Sequence, residues 1–209
     1  MAFSDAIFAI IITLLVLDLG IPDVPPGRLL SGLLSQWPSY VAYLASYSYV
    51  AVVWLNHKAA FNRIRQVDRG LHWMNLLVLF STALLPFPTI VVSHALREHN
   101  NTDQRVAIAF YALIGAFLCA TWLAFYHYLA RHPDLLKEQV KGGFFHVERF
   151  RALAGVVLYL LAGVIGYLVE PLIGLVIFPF LPVFYALTSA GLYQLRVTRR
   201  ISHRPPPPR

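Results

Sequence analysis

Two carboxylates and one hydroxyl are the conspicuous polar groups of the first apolar run in this sequence, residues 3–19. Asp5 and Asp18 lie near its two ends, and Thr13 lies inside it. On a helix the two carboxylates would be about 20 Å apart along the axis, close to the thickness of a hydrocarbon layer. The helix dipole favours an anion at Asp5 but disfavours one at Asp18, by about 0.3–1 kcal/mol. We therefore expect Asp18 to attract cations to one end of a membrane helix.

A second polar group lies on the next apolar segment, where Trp54 and His57 are three residues apart and share one helix face. If the first two segments cross a membrane in opposite directions, the start of the first and the end of the second lie at the same membrane face. Trp54 and His57 then lie at the same depth as Asp5. The Asp5 carboxylate could then accept a hydrogen bond from the indole or imidazole N–H, worth about 1.5–3 kcal/mol. Asn75 could join this group from the third segment. Alternatively, Trp54 and His57 belong to the aromatic belt of a membrane interface.

The other polar residues do not suggest a metal site or a catalytic site. No two of the eight histidines are four residues apart, and no acidic residue lies in the middle of an apolar segment. We find no phosphate-binding glycine loop and no nucleophile elbow. Cys119 is the only cysteine and cannot form an intrachain disulfide. We therefore expect neither an enzyme nor a bound metal or cofactor.

The composition indicates an all-α, polytopic membrane protein. The 209 residues are 58% hydrophobic and 13% charged, whereas soluble domains contain about 25% charged residues. The net charge of +7 does not indicate nucleic-acid binding, because the basic residues lie between apolar segments rather than on one face. The first apolar run has no basic residues before it, so we expect a retained transmembrane helix rather than a signal peptide.

Six apolar segments are predicted to cross the membrane. They cover residues 3–19, 38–60, 71–94, 105–129, 152–169 and 172–195. Pro22 follows the first segment and predicts a loop, and Pro86 and Pro88 predict a kink in the third. The six spans would form one domain over residues 1–196. The Arg- and Pro-rich residues 197–209 are predicted to be a disordered tail.

The distribution of basic residues predicts the orientation of these spans. If the N-terminus is inside, fourteen of the 17 Lys and Arg residues lie in inner loops or the inner tail, and only Arg28, Arg97 and Arg105 lie outside. This asymmetry predicts that both termini are cytoplasmic. The chain contains no internal duplication, so any symmetry would come from oligomerisation.

Helical rotation divides the first span into faces. Ile10, Leu14 and Leu17 fall on one line, with Phe3 and Ile7 close to it, and we call this set the apolar stripe. Thr13 lies at the edge of the stripe, whereas Asp5 lies roughly opposite and would face neighbouring helices. Spacing alone leaves open whether the stripe lines a central axis or is an ordinary lipid-facing or core surface.

Residues 3–89 contain three characteristic motifs. They are Phe3-Ser4-Asp5 followed by Thr13-Leu14-Leu15-Val16-Leu17-Asp18, then Trp54-x-x-His57, and then Val67-Asp68-Arg69 with Asn75-Leu76-Leu77 and Pro86-Phe87-Pro88-Thr89. Together these motifs resemble the transmembrane protein 175 family of endosomal and lysosomal potassium channels, in particular its single-repeat prokaryotic branch. The last three spans are similar to the family only in hydropathy and order.

The resemblance implies a potassium-permeable, modestly selective cation channel in the plasma membrane of a prokaryote. It implies a homotetramer in which the first helix of each subunit lines the pore and K⁺ and other monovalent cations permeate. The residues that it assigns are constrictions at Ile10, Leu14 and Leu17, a selectivity hydroxyl layer at Thr13, and helix packing through Phe3, Ser4 and Asp5.

The mechanism that we expect from this resemblance is a hydrophobic gate. The sequence has no Gly-rich carbonyl filter, so backbone oxygens would not replace the hydration shell of the ion. Rings of Ile10 and Leu14 would instead form an apolar neck that closes by dewetting. Asp18 would surround the outer mouth and raise the local cation concentration.

Two other functions remain open from the sequence. The first is a proton leak, in which water in the neck and the group around His57 and Asp5 carry protons. The second is a membrane scaffold or accessory subunit that transports nothing and only binds partners.

Overall fold

The computed structural model describes residues 2–17, 19–98, 100–140 and 143–188, and within these ranges it is all-helical. The all-α prediction is therefore confirmed. The helices are α1 (Ala2–Leu17), α2 (Leu29–Ser35), α3 (Trp37–Phe61), α4 (Arg69–Ala83), α5 (Pro86–Glu98), α6 (Asn101–Arg131), α7 (Gly143–Leu168) and α8 (Pro171–Thr188), with a 3₁₀ turn at Pro133–Leu135.

Within the described residues, three helical segments are long and apolar enough to cross a membrane by length and composition. They are Arg69–Glu98, which comprises α4 and α5, Asn101–Arg131 and Phe144–Leu168. The shorter helical stretches Ala2–Leu17 and Pro171–Leu187 are also apolar. α3 has 25 residues but includes several Tyr and Ser residues. The predicted count of six spans stays a prediction.

The third predicted span is interrupted at its proline. α4 ends at Ala83 and α5 begins at Pro86, so the helix breaks where Pro86 cannot donate a backbone hydrogen bond. The Leu85 side chain is fully buried at the break. In α8, by contrast, Pro179 and Pro182 lie inside a helix that continues past both of them.

Two helical stretches lie outside the predicted spans, whose boundaries stay predictions. The loop predicted after the first span contains α2, a helix of seven residues that is too short to have a readable hydrophobic period. The fifth span was predicted to begin at residue 152, but α7 begins at Gly143. The extra turns contain Glu148 and Arg151, whose side chains form a buried ion pair with an N–O distance of 2.6 Å. Because the two charges neutralise each other, they do not end the helix.

α6 lies at the centre of the bundle and packs against α4, α5, α7 and α8. Small residues permit its closest contacts: a Cβ added at Gly115 would lie 2.5 Å from the ring of Tyr159. α1 lies at the edge and packs on α3, α4 and α5. One side of α1 is thus in the core, and the opposite side has no partner within the described part of the chain.

Two loops are joined at the end of the bundle where α1 begins. The Arg65 amide donates to the carbonyl of Leu135 (2.8 Å), and the Lys137 amide donates to the carbonyl of Arg63 (3.0 Å). Asp68 begins the next helix, because its carboxylate accepts from the Leu71 amide (2.7 Å).

The same carboxylate of Asp68 also ties α4 to α6. It accepts a hydrogen bond of 2.5 Å from the hydroxyl of Tyr128. Gly70 makes room for this contact, since a Cβ there would lie 2.1 Å from that hydroxyl oxygen. The bond from Tyr128 lowers the pKa of Asp68 below its usual value, and the bond from Leu71 adds to this effect.

Candidate functional site

The two sides of α1 differ in burial. The buried side consists of Ser4, Phe8, Ile11 and Leu15. On the apolar stripe, Ile10 is 57% exposed, Leu14 45% and Leu17 74%. Phe3 is 63% exposed within one chain, and its predicted packing against a neighbouring helix stays a prediction. Ile7 is partly buried and packs against the core, whereas the rest of the stripe is an uncovered apolar surface of the single chain.

Thr13 lies beside this stripe with its hydroxyl turned toward the backbone. Its Oγ1 donates to the carbonyl oxygen of Ile10 at 2.8 Å. Because the hydrogen is used inside the helix, the oxygen lone pairs remain available to an outside group. Asp18, the predicted outer-mouth residue, lies outside the described residues.

The carboxylate of Asp5 contacts the last turns of α3. Trp54 Nε1 donates to Asp5 Oδ1 at 2.8 Å, and Lys58 Nζ lies 4.0 Å from the same oxygen. Lys58 Nζ also lies 4.5 Å from the centroid of the Trp54 ring. The Lys58 and Asp5 side chains are 43% and 37% exposed, so water weakens this ion pair to at most about 1 kcal/mol. The indole bond is the main link between α1 and α3.

His57 bonds to Asn75 rather than to Asp5. Its Nε2 lies 2.7 Å from Asn75 Oδ1, and Asn75 Nδ2 donates to Ser4 Oγ at 3.4 Å. Because the Asn75 amide nitrogen is turned toward Ser4, its oxygen must accept from His57. This network assigns the proton of neutral His57 to Nε2. Ser4 of α1, His57 of α3 and Asn75 of α4 thus form one hydrogen-bonded chain.

The His57 ring is enclosed by aromatic rings. It stacks on Phe61 with centroids 4.4 Å apart, and the edge contact to Phe8 is 5.4 Å. Its Nδ1 is buried and has no hydrogen-bond partner among the described residues. The imidazole therefore packs as an aromatic ring on one side and makes a directional bond on the other.

We call the six residues around the start of α1 the anchoring cluster. The sequence analysis grouped five of them but missed Lys58, whose position four residues after Trp54 was the available signal. No group of three or more metal-ligating side chains occurs in the described ranges. The cluster consists of Ser4, Asp5, Trp54, His57, Lys58 and Asn75.

A second polar cluster lies away from α1, and the sequence analysis missed it. Arg151 Nη1 contacts Glu148 Oε2 at 2.6 Å, and Arg151 Nη2 donates to the carbonyl of Tyr185 at 3.1 Å. The Tyr185 hydroxyl donates back to the carbonyl of Arg151 at 3.1 Å. A cavity of about 30 Å³ beside the pair has room for about one water molecule. These contacts fix α7 against α8.

Residues 1–86 match the sequence profile of a known family, described as endosomal/lysosomal potassium channel TMEM175. This range contains α1, the anchoring cluster and the break before α5.

Individual proteins match over longer stretches. A potassium channel of Streptomyces collinus is 38% identical over 161 residues, which is 77% of this chain and 77% of that protein. A human protein named endosomal/lysosomal proton channel TMEM175 is 30% identical over 165 residues, which is 73% of this chain but 32% of that protein.

The fold also matches a solved structure. This is the crystal structure of a lysosomal potassium-selective channel TMEM175 homologue from Chamaesiphon minutus, with a TM-score of 0.77 and 30% sequence identity. The match covers 90% of this chain and 96% of the other.

Proposed function

The chain belongs to the TMEM175 family, and from this premise we propose that it is a potassium-permeable cation channel formed by four copies of the chain. In this assembly α1 of each copy lines a central pore. The protein is a multi-pass membrane protein, and we propose that it resides in the plasma membrane of a prokaryote with both termini in the cytoplasm. The potassium channel named in Streptomyces collinus supports the choice of ion.

The uncovered apolar stripe of α1 is the observation that carries this proposal. A helix packed on one side only leaves its other side to lipid, to a second copy or to a pore. A row of side chains that is about half exposed or more, next to a hydroxyl, suits a narrow pore better than a buried contact. Four copies around one axis would bring four such stripes together.

The stripe would then form the gate. Rings of Ile10, Leu14 and Leu17 make a neck without hydrogen-bonding groups for water, so a narrow neck empties of water and blocks ions. Widening it requires α1 to shift or rotate. The barrier to a cation is the loss of hydration, which an apolar wall does not replace.

Thr13 would partly compensate the cation for its lost hydration, which the apolar rings cannot do. Its hydroxyl hydrogen donates to Ile10, so the oxygen can face a cation. Four such oxygens replace only a few of the waters around the ion, and we therefore expect modest selectivity for potassium over sodium. Asp18 would add a negative ring at the outer mouth and concentrate cations there.

The anchoring cluster would set which side of α1 faces the pore. Trp54 holds Asp5, and Asn75 holds Ser4, so α3 and α4 both fix the rotation of α1 near its start. One residue of helical rotation is about 100°, which would remove the stripe from the axis altogether. The anchoring cluster would therefore keep the apolar stripe of α1 facing the pore axis.

Proton conduction is a second candidate function. The human relative is named a proton channel, and the anchoring cluster contains a carboxylate and a buried imidazole whose Nδ1 has no hydrogen-bond partner in the part of the chain that the structure describes. If water entered this region, Asp5 and His57 could pass protons along it. The two functions differ in the ion that sets the reversal potential.

Ion flux from liposomes that contain the purified protein tests the proposal. Separate potassium, sodium and proton gradients are imposed across the same vesicles, and empty liposomes give the background. Potassium flux greater than sodium flux supports the potassium channel. Flux of protons alone would replace it with the proton leak.

Absence of all three fluxes would leave a closed channel or a scaffold, and a polar substitution separates them. Ile10→Asn places an amide on the stripe and should wet the neck. Val16→Asn is the matched control, because Val16 is 47% exposed but lies about 120° from Ile10 around α1. Flux that appears with Ile10→Asn but not with Val16→Asn supports a closed channel. Absence of flux with both variants supports a scaffold.

A further inference from the structure

An apolar groove runs along the outside of the bundle between residues 109–113 of α6 and residues 160–168 of α7. Its volume is about 370 Å³. It lies far in sequence from α1 and plays no part in the proposed pore. We call it the α6–α7 groove.

Small side chains create this groove where the two helices pack most closely. A Cβ added at Gly163 would lie 2.6 Å from the Cβ of Ala112, so the backbones approach there without side chains between them. Ala109 continues the row of small residues on α6. Leu113 and Val164, which are both more than half exposed, form the walls.

The shape of the groove favours an extended chain over a helix. Residues 160–168 rise about 12 Å along α7, so the volume corresponds to a cross-section of about 30 Å². An α-helix with side chains is about 10 Å wide and has a cross-section of about 80 Å². The groove is therefore too small to enclose a helix of a second copy, whereas a single row of methylene groups fits inside it.

A cation is fixed at one end of the groove. Arg105 lies one turn before Ala109, and its guanidinium donates to the carbonyl of Tyr167 and to that of Val169, the latter at 3.0 Å. Its Nε donates to Asn101 Oδ1 at 2.5 Å. Three of its five N–H groups thus have acceptors among the described residues, and two remain for another acceptor.

We propose that the α6–α7 groove binds one acyl chain of a phospholipid whose phosphate accepts hydrogen bonds from Arg105. The lining is apolar, and it faces outward from two helices that are apolar enough to cross a membrane. The carbonyls at the end of α7 hold the guanidinium in place, so little side-chain entropy is lost when the phosphate binds.

Photolabelling with two lipid probes tests both parts of the site. The protein is reconstituted in phosphatidylcholine liposomes with phosphatidylglycerol that has a diazirine on one acyl chain. The second probe is diacylglycerol with the same chain and no phosphate. After illumination, the labelled peptides are identified by mass spectrometry. We expect label within residues 109–113 and 160–168.

Substitutions in the groove and outside it give the control. Ala109→Phe and, independently, Val164→Trp fill the groove and should reduce its labelling several-fold with both probes. Leu161→Trp changes an exposed residue of α7 that does not line the groove, and it should leave the labelling unchanged. Equal loss in all three variants, or none in either groove variant, would overturn the proposal.

Substitutions of Arg105 test the phosphate contact separately. Arg105→Gln should reduce labelling by phosphatidylglycerol and leave labelling by diacylglycerol unchanged, and Arg105→Lys should restore part of the loss. Equal effects on both probes would refute the role of the phosphate. Labelling does not require conductance, so its outcome is independent of whether the protein is a channel.

Discussion

Trp54 Nε1 donates to Asp5 Oδ1 across 2.8 Å, and this bond joins the first turns of α1 to the end of α3. The carboxylate has a second, weaker contact with Lys58. α1 is therefore attached to α3 through one carboxylate, which contacts both Trp54 and Lys58. Variants of the pair can separate the indole bond from the ion pair.

Trp54→Phe should weaken the attachment of α1 and destabilise the protein by about 1 kcal/mol. This is less than the range of about 1.5–3 kcal/mol for a bond to a charged group, since Asp5 is partly exposed. The midpoint of thermal unfolding in detergent measures the effect. Trp73→Phe is the matched control, because Trp73 is 61% exposed.

Asp5→Ala should have a larger effect, because it removes the acceptor of Trp54 and the partner of Lys58 together. We expect reduced assembly and expression, measured by size-exclusion chromatography of the purified protein. Normal yields of the same oligomer from this variant would show that the anchoring cluster is not needed for assembly.

Leu14→Ser should raise the basal ion leak of reconstituted liposomes. A hydroxyl on the stripe gives water a hydrogen-bonding partner, so the neck is less easily emptied. The leak is compared with that of wild-type protein and of Val16→Asn at equal protein density. Unchanged conductance with both Leu14→Ser and Ile10→Asn would show that the assigned pore face is wrong.

Thr13→Ala should reduce the preference for potassium over sodium, whereas Thr13→Ser, which keeps the hydroxyl, should retain most of it. The physical reason is the oxygen of Thr13, which is free to accept because its hydrogen donates to Ile10. Reversal potentials under potassium and sodium gradients measure the ratio. An equal ratio in the Ala and Ser variants would assign the selectivity elsewhere.

Asp68→Asn should abolish a stabilising effect that depends on pH. Tyr128 lowers the pKa of Asp68 in the folded state, so folding favours the ionised carboxylate. This contribution is fully present above the unfolded pKa of about 3.9 and is lost as the pH falls through the folded pKa. Asn keeps a good helix cap but cannot ionise.

The unfolding midpoints of wild type and Asp68→Asn should therefore differ by a constant amount above about pH 5 and converge below about pH 4. Asp134→Asn, at an exposed residue, is run beside them as the control. A difference that stays constant down to pH 3 would assign the effect to hydrogen-bond geometry rather than to charge.

The sequence predicted the elements better than their polar contacts. Proline and glycine positions and apolar length predicted most of the helices. The expected membrane depth of the first two spans predicted that Asp5 lies close to Trp54. The sequence could not decide whether the indole or the imidazole N–H donates to the Asp5 carboxylate, because that choice depends on the relative rotation of α1, α3 and α4. Asn75 takes the imidazole bond, and this requires the amide orientation that only Ser4 fixes.

The buried pair of Glu148 and Arg151 shows a different limit. The sequence prediction placed both residues in an exposed loop, because burying one unpaired charge inside a helix bundle costs free energy. Their spacing of three residues on one helix lets them neutralise each other. Tyr185 on α8 adds a carbonyl that accepts from Arg151, and its position depends on how α7 and α8 pack.

The uneven attachment of α1 has a geometric consequence. Among the described residues, hydrogen bonds to other helices hold its first turns at Ser4 and Asp5, whereas its later turns are held by apolar contacts of Ile11 and Leu15. Such a helix pivots about its start, and its displacement grows with distance from the pivot. Leu17 lies about 20 Å from Ser4, so a tilt of about 5° moves it by roughly 2 Å, and Ile10 by about half as much. In the proposed tetramer the bore would therefore widen as a cone, with the ring of Leu17 separating before the ring of Ile10.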